Sequence, residues 1–270
     1  MTPQPTRVAA IQMVSAPEVA PNLEAAGRLV AEAAHAGAKL VALPEYFCIL
    51  GRHETDKVKA GEAEGAGPIQ DFLAEAARRH RVWIVGGTVP LISRSEGKVR
   101  SACLVFDEAG RRVARYDKMH LFKLDLGERR FDESRTIEPG SAPVAVQTPF
   151  GRLGLSVCYD VRFPEFYRSL DRIDAWLVPS AFTDVTGAAH WDTLLRARAI
   201  ENQCYVVAPA QGGAHANGRR THGHSMIIDP WGEVLACRKE GEGVVLAELD
   251  PARVAEVRQS LPALNHRKMR

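Results

Sequence analysis

The sequence predicts an α/β fold in which mixed sheets are covered by helices. Two observations carry this. Short apolar runs of strand length alternate with longer amphipathic stretches along nearly all of the 270 residues. Several neighbouring runs are joined by turn signals, and such hairpins argue against a purely parallel, doubly wound sheet. No low-complexity linker interrupts the chain, so one domain is expected over 1–270.

The elements follow in order. Residues 7–14 read as a strand, 21–38 as an Ala-rich helix stopping at Gly37, and 39–45 as a second strand, making a β-α-β unit. A helix over 67–81 has Pro68 near its start and Arg and His residues in its last turn. One strand is expected over 81–91. Residues 99–121 and 142–160 read as hairpins turning at Asp107–Gly110 and at Phe150–Gly151. A helix over 163–173, a strand over 174–183, a helix over 189–203 and a strand over 204–210 follow. Residues 224–239 read as a hairpin around Pro230–Gly232, and 244–261 as a strand then a helix. The polar stretch 51–66 is expected to be a surface loop or a lid.

Composition excludes several classes. The net charge is +2, and no basic block interleaves with aromatics, so no nucleic-acid partner is expected. The five cysteines form no CxxC pair and the closest two are 33 residues apart, which is neither zinc spacing nor a disulfide framework. No apolar stretch reaches the ~18 residues of a membrane span, and the N-terminus lacks a signal-peptide pattern. A cytoplasmic protein with reduced thiols and no membrane contact is expected.

Three residues invite chemistry. Cys158 follows the apolar run 153–157 and precedes a turn, which is where a nucleophile would be exposed at a sheet rim. A buried core cysteine is the competing reading. Glu45 follows a strand and Pro44; partial burial there would raise its pKa towards that of a general base, whereas an exposed loop glutamate would do nothing. Lys118 ends an alternating strand and is either a fixed cation or a solvated edge lysine. His120 is a rival partner for Cys158 in a Cys–His arrangement. His222 and His224, with His215 nearby, suggest a metal pair but lack a third ligand at familiar spacing.

Three motifs then line up in chain order. Leu43-Pro44-Glu45-Tyr46-Phe47, the run Tyr116-Asp117-Lys118-Met119-His120-Leu121-Phe122, and the run from Gly154 through Cys158 to Glu165 resemble the three signatures of the nitrilase superfamily, the carbon–nitrogen hydrolases. Further similarity covers Glu133-Ser134 ahead of Glu138-Pro139-Gly140, then 181–183, 189–201 and 223–232. The resemblance implies a four-layer α-β-β-α sandwich, a homodimer or higher homo-oligomer, and a Glu–Lys–Cys triad of Glu45, Lys118 and Cys158. It places a second glutamate at Glu133, with Glu128 as the rival. It implies cysteine-dependent hydrolysis of a small amide through a thioester, with no metal and no organic cofactor, and with the backbone N–H of Tyr159 beside the oxyanion. Residues 181–200, 223–232 and 258–262 look most like the branch that hydrolyses deaminated glutathione. The neighbouring branch is omega-amidase, acting on 2-oxoglutaramate and 2-oxosuccinamate. Both substrates carry carboxylates, so Arg162 is the expected anchor, with Thr183 or Thr186 as hydrogen-bond donor. An ion pair of Arg162 with Asp160 or Glu165 is the competing reading, and a non-catalytic scaffold keeping this fold is the alternative from another class.

Overall fold

Strand faces explain the layering. In the computed structural model, which describes residues 4–126 and 129–268, Val8 and Ala10 of strand Thr6–Gln12 pack into one apolar cluster, while Ala9 and Ile11 pack into another. Leu40 and Ala42 split from Val41 and Leu43 in the same way. Period-2 alternation with both faces apolar means a sheet buried on both sides. One cluster lies between two sheets; the other lies under helices Val19–His35 and Pro68–His80.

The first sheet runs Gly243–Leu249, Thr6–Gln12, Leu40–Leu43, Trp83–Gly86, Val99–Phe106, Val89–Ile92, with Arg112–Asp117 also paired to Val99–Phe106. Its central three strands are parallel and the others antiparallel. The second runs Val234–Arg238, Ser225–Ile228, Tyr205–Ala208, Ala175–Leu177, Gly151–Leu155, Val144–Thr148. Helices Pro164–Arg168 and Asp184–Asn202 cover its outer face, where Phe166, Tyr167, Trp191 and Leu195 join the central cluster. The result is an α-β-β-α sandwich of mixed sheets. Among the described residues no helix is long and apolar enough to cross a membrane.

Several expected elements are corrected. The single strand over 81–91 is two strands, Trp83–Gly86 and Val89–Ile92, broken where Gly87 takes a φ of +47°. A Cβ on Gly87 would lie 2.0 Å from the carbonyl oxygen of Pro44, so the loop before Glu45 can approach only a glycine. Gly140 does the same beside Lys118: its Cβ would lie 2.1 Å from the carbonyl oxygen of Asp117. The helix expected over 163–173 is only Pro164–Arg168, and the strand expected over 174–183 only Ala175–Leu177. The helix expected from 189 starts at Asp184, because Thr183 caps it by accepting a bond from the Thr186 N–H at 3.3 Å. Two short hairpins were unanticipated: Lys123–Leu126 with Arg129–Asp132, and Gly212–Ala214 with Arg220–His222. The polar stretch 51–66 holds a one-turn helix, Asp56–Lys59.

Gly87→Ala is expected to lower unfolding stability by more than about 2 kcal/mol, since the clash is with backbone and cannot relax by a rotamer change. Chemical denaturation would measure this; an unchanged midpoint would contradict the close approach.

Candidate active site

Each key side chain sits just past a strand end on the same rim. Glu45 follows Leu40–Leu43, Lys118 follows Arg112–Asp117, and Cys158 opens the turn Cys158–Arg162 after Gly151–Leu155. Strand ends place side chains reproducibly because the ladder fixes the backbone up to the last pair. Cys158 and Tyr46 both have positive φ, +50° and +57°, a strained state for residues with a Cβ. The Cys158 N–H donates to the Pro179 carbonyl at 2.9 Å, and the Tyr46 N–H to Thr88 Oγ1 at 2.9 Å, which hold both turns.

These elements bring Glu45, Lys118, Glu133 and Cys158 together. Lys118 is fully buried; its ammonium donates to Glu45 Oε1 at 2.8 Å and to Glu133 Oε1 and Oε2 at 2.9 and 2.7 Å. Glu133 is further held by the Tyr46 hydroxyl at 2.8 Å and the Phe122 N–H at 2.7 Å. The Cys158 thiol lies beside the Glu45 carboxylate and near the Ala181 N–H. Glu128, the rival for the second glutamate, lies outside the described residues.

The charges interlock. Burial raises Glu45, and the negative charge of Glu133 adds to this against the pull of Lys118. Burial works the same way on Glu133, but the Lys118 ammonium and the Phe122 and Tyr46 donors outweigh it and hold its carboxyl low. Lys118 stays protonated despite burial, because two carboxylates face it. Burial and the Glu45 charge push the Cys158 thiol well up, Lys118 opposing, so the resting sulfur is a neutral thiol beside a base. Cys103 and Cys204 are pushed up to about 12 by burial and have no such base; they are core thiols.

A cleft of about 260 Å³ opens above Cys158. Arg162, Tyr159, Thr183 and Thr186 all line it. The Arg162 guanidinium lies over the Tyr159 and Phe182 rings at 5.7 and 5.4 Å and contacts His190 Nδ1 at 3.3 Å. Among the described residues no carboxylate pairs with it, so the ion pair with Asp160 or Glu165 is not formed. Thr183 and Thr186 hydroxyls bond each other at 2.8 Å, which leaves one hydroxyl proton of the pair for another acceptor. The stretch 51–66 contributes Glu54 and Lys57 to the cleft wall.

Sequence reasoning missed Asp160 as a positioning residue. Its buried carboxylate accepts from the Tyr116 hydroxyl at 2.6 Å, the Val157 N–H at 2.8 Å and the His120 N–H at 3.1 Å. His120 Nδ1 lies 2.7 Å from the same carboxylate and its ring stacks on Phe163. His120 therefore faces Asp160 and does not line the cleft, which corrects the Cys–His arrangement. His222 and His224 do gain a third ligating group, Asp192, with ligand atoms within 4.8 Å of one another, while His215 bonds Ser15 and Thr221 instead.

With Glu45 as the base for the thiol, the acid limb of kcat/KM is expected above the ordinary carboxylate value of 4.5, because burial raises its pKa. Activity is thus lost as pH falls through that raised value. Lys118, raised above 10.5, should cause no loss at neutral to mildly alkaline pH. A pH–rate profile whose acid limb lies at or below 4.5 would contradict this.

Comparison with known proteins agrees with this geometry. Residues 7–259 match the carbon–nitrogen hydrolase family. A deaminated glutathione amidase of Synechocystis is 46% identical over 270 residues, covering 98% of both chains. The crystal structure of the C. elegans NitFhit protein superimposes with a TM-score of 0.91 at 38% identity, over 99% of this chain and 66% of that one. Saccharomyces cerevisiae Nit3, a member of branch 10 of the nitrilase superfamily, gives 0.88 at 31% identity over 98% and 97%. The chain belongs to the carbon–nitrogen hydrolase family and has its α-β-β-α fold.

Proposed function

We propose that the protein is a cysteine-dependent amidase that hydrolyses deaminated glutathione. The carrying observation is a buried thiol placed in one cleft with a carboxylate that is itself bonded to a fully buried ammonium. The substrate reading rests on the 46% identical relative that bears this activity in its name, and on the cationic groups in the cleft.

The chemistry follows from the hydrogen bonds. Glu45 takes the proton of Cys158 as the sulfur attacks the amide carbonyl. All three ammonium protons of Lys118 are engaged at rest, two by Glu133 and one by Glu45. Once Glu45 carries the thiol proton it is a poorer acceptor, and that ammonium donor turns to the oxyanion. The Tyr159 N–H, which donates to no acceptor within the chain among the described residues, supplies the second donor. Loss of one oxyanion donor typically costs about 3–4 kcal/mol of barrier. Glu45 passes its proton to the departing amine nitrogen, the C–N bond breaks, and a thioester remains. Glu45 then takes a proton from water, whose attack releases the acid and restores the thiol. Glu133 keeps Lys118 in place throughout.

In deaminated glutathione the 2-oxo acid end becomes the acyl group and cysteinylglycine leaves. Arg162, close to the nucleophile in sequence and over the cleft aromatics, is the anchor for the 2-oxo acid carboxylate, with the Thr183–Thr186 pair as donor.

A second copy of the chain is the proposed partner. Ile200 and Trp231 are 49% and 56% exposed, and Gly232, next to Trp231 in the chain, sits against Ile200, so the two apolar side chains lie in one exposed area. Sedimentation should show a dimer that Trp231→Asp weakens; a wild-type monomer at micromolar concentration contradicts it.

Cys158→Ala should reduce turnover of deaminated glutathione by roughly 10⁴-fold or more while the fold survives. Release of 2-oxoglutarate and of cysteinylglycine reads the reaction. Full activity in that variant would remove the nucleophile, and a wild-type protein inactive on every amide tried would point to a non-catalytic scaffold.

A further inference from the structure

The cleft holds more cations than the reaction needs. Lys57 and Arg219 both line it, and they lie against the Tyr46 and Phe131 rings, whereas Arg162 lies over Tyr159 and Phe182. Lys57, on the one-turn helix Asp56–Lys59, has its ammonium 3.3 Å from Thr136 Oγ1 and 5.6 Å from the Tyr46 ring centre. Arg219 lies 5.2 Å over the Phe131 ring. Among the described residues neither has a carboxylate within ion-pair distance. The acids nearby are otherwise placed: Glu133 is committed to Lys118, Tyr46 and Phe122, Asp132 bonds Ser134 and Lys123, and Glu54 lies on the cleft wall without reaching either cation. Loss of solvent lowers the proton affinity of Lys57, and Arg219 repels it, against the longer-range pull of Glu133 and Glu54.

Two unpaired cations turned into one cleft are unfavourable in the empty protein and become favourable when an anion arrives. Their support is built rather than fortuitous. Asn217 Oδ1 accepts from the Arg219 N–H at 3.0 Å, and its amide donates to the Leu50 and Gly51 carbonyls at 3.0 and 2.8 Å. That ties the Arg219 turn to the start of the segment that carries Lys57.

We propose that Lys57 and Arg219 form a second anion subsite, which holds the carboxylate of the departing amine. This rests on the amidase reading above and deepens it. Deaminated glutathione has a carboxylate at each end. With Arg162 on one end and Lys57 with Arg219 on the other, the scissile amide is held between two fixed charges over Cys158. A simple primary amide of the same 2-oxo acid releases ammonia and leaves this subsite unused, so the subsite selects the tripeptide-derived substrate through its leaving group.

The test uses deaminated glutathione and its glycinamide analogue, in which the terminal carboxylate is capped. For the wild type, the cap should raise KM about tenfold or more with kcat nearly unchanged. Lys57→Met and Arg219→Met should weaken the free acid by a similar factor and leave the capped amide unaffected; Lys57→Arg should keep the preference. Equal effects of these variants on both compounds, or none on either, overturn the subsite. Calorimetry of the two compounds with Cys158→Ala reads the subsite without turnover. A preference for the free acid that Lys57→Met and Arg219→Met abolish is expected there, and equal or absent binding of the two overturns it. Wild-type inactivity on both, with that binding preference intact, would instead contradict the substrate reading.

Discussion

A buried ammonium organises this site. An isolated charge placed where Lys118 lies would cost several kcal/mol, and only close, well-aligned carboxylates offset that. Two are provided, and they are not equivalent. Glu133 accepts from Lys118 twice and from Tyr46 and Phe122 as well, so its negative charge is well solvated by the protein. Glu45 has one bond from Lys118 and a thiol for its other neighbour. The inequality suits Glu133 to the part of a fixed anion and Glu45 to the part of base proposed for it. In the proposed reaction such a carboxylate can serve a thiol as reluctant to ionise as Cys158, because the proton moves only as the sulfur bonds to carbon.

The sandwich is what makes such a cluster possible. The four groups come from segments up to 113 residues apart, Glu45 to Cys158. Both sheets end their strands at one rim, so the distance in sequence does not matter. Two glycines, 87 and 140, let the loops that carry Glu45 and Lys118 close against neighbouring backbone. Asp160 then fixes the third loop, tying the turn after Cys158 to Tyr116 and His120 on the first sheet's side. The strained backbone at Cys158 is held by its bond to Pro179 and that at Tyr46 by its bond to Thr88, and the site is shaped before substrate enters.

Much of the fold was legible because apolar period and turn chemistry are local. The β-α-β start, the hairpins at 107–110 and 150–151 and the closing strand and helix could be read directly. The break at Gly86–Gly87 was not, since what demands it is the Pro44 carbonyl from another strand. The hairpins at 123–132 and 212–222 carry too little apolar pattern to show. Within the site, local pattern left Cys158, Glu45 and Lys118 each with a bland reading, and the motif resemblance brought them together. The positioning role of Asp160 went unread because a carboxylate two residues past Cys158 looks solvated until its donors Tyr116 and His120, from another segment, are seen. Lys57 sat in the stretch 51–66, read as a surface loop or a lid, and Arg219 in a stretch given no element; only the tertiary fold brings them to the cleft.

The proposed reaction depends on the division of charge between the two glutamates. Glutamate labelled with ¹³C at the carboxyl, with signals assigned by Glu45→Gln and Glu133→Gln, would let nuclear magnetic resonance follow both groups through an acid titration. The account predicts that Glu45 titrates above the ordinary glutamate value and Glu133 below it. Two carboxylates titrating together at the ordinary value, or in the reverse order, would contradict it.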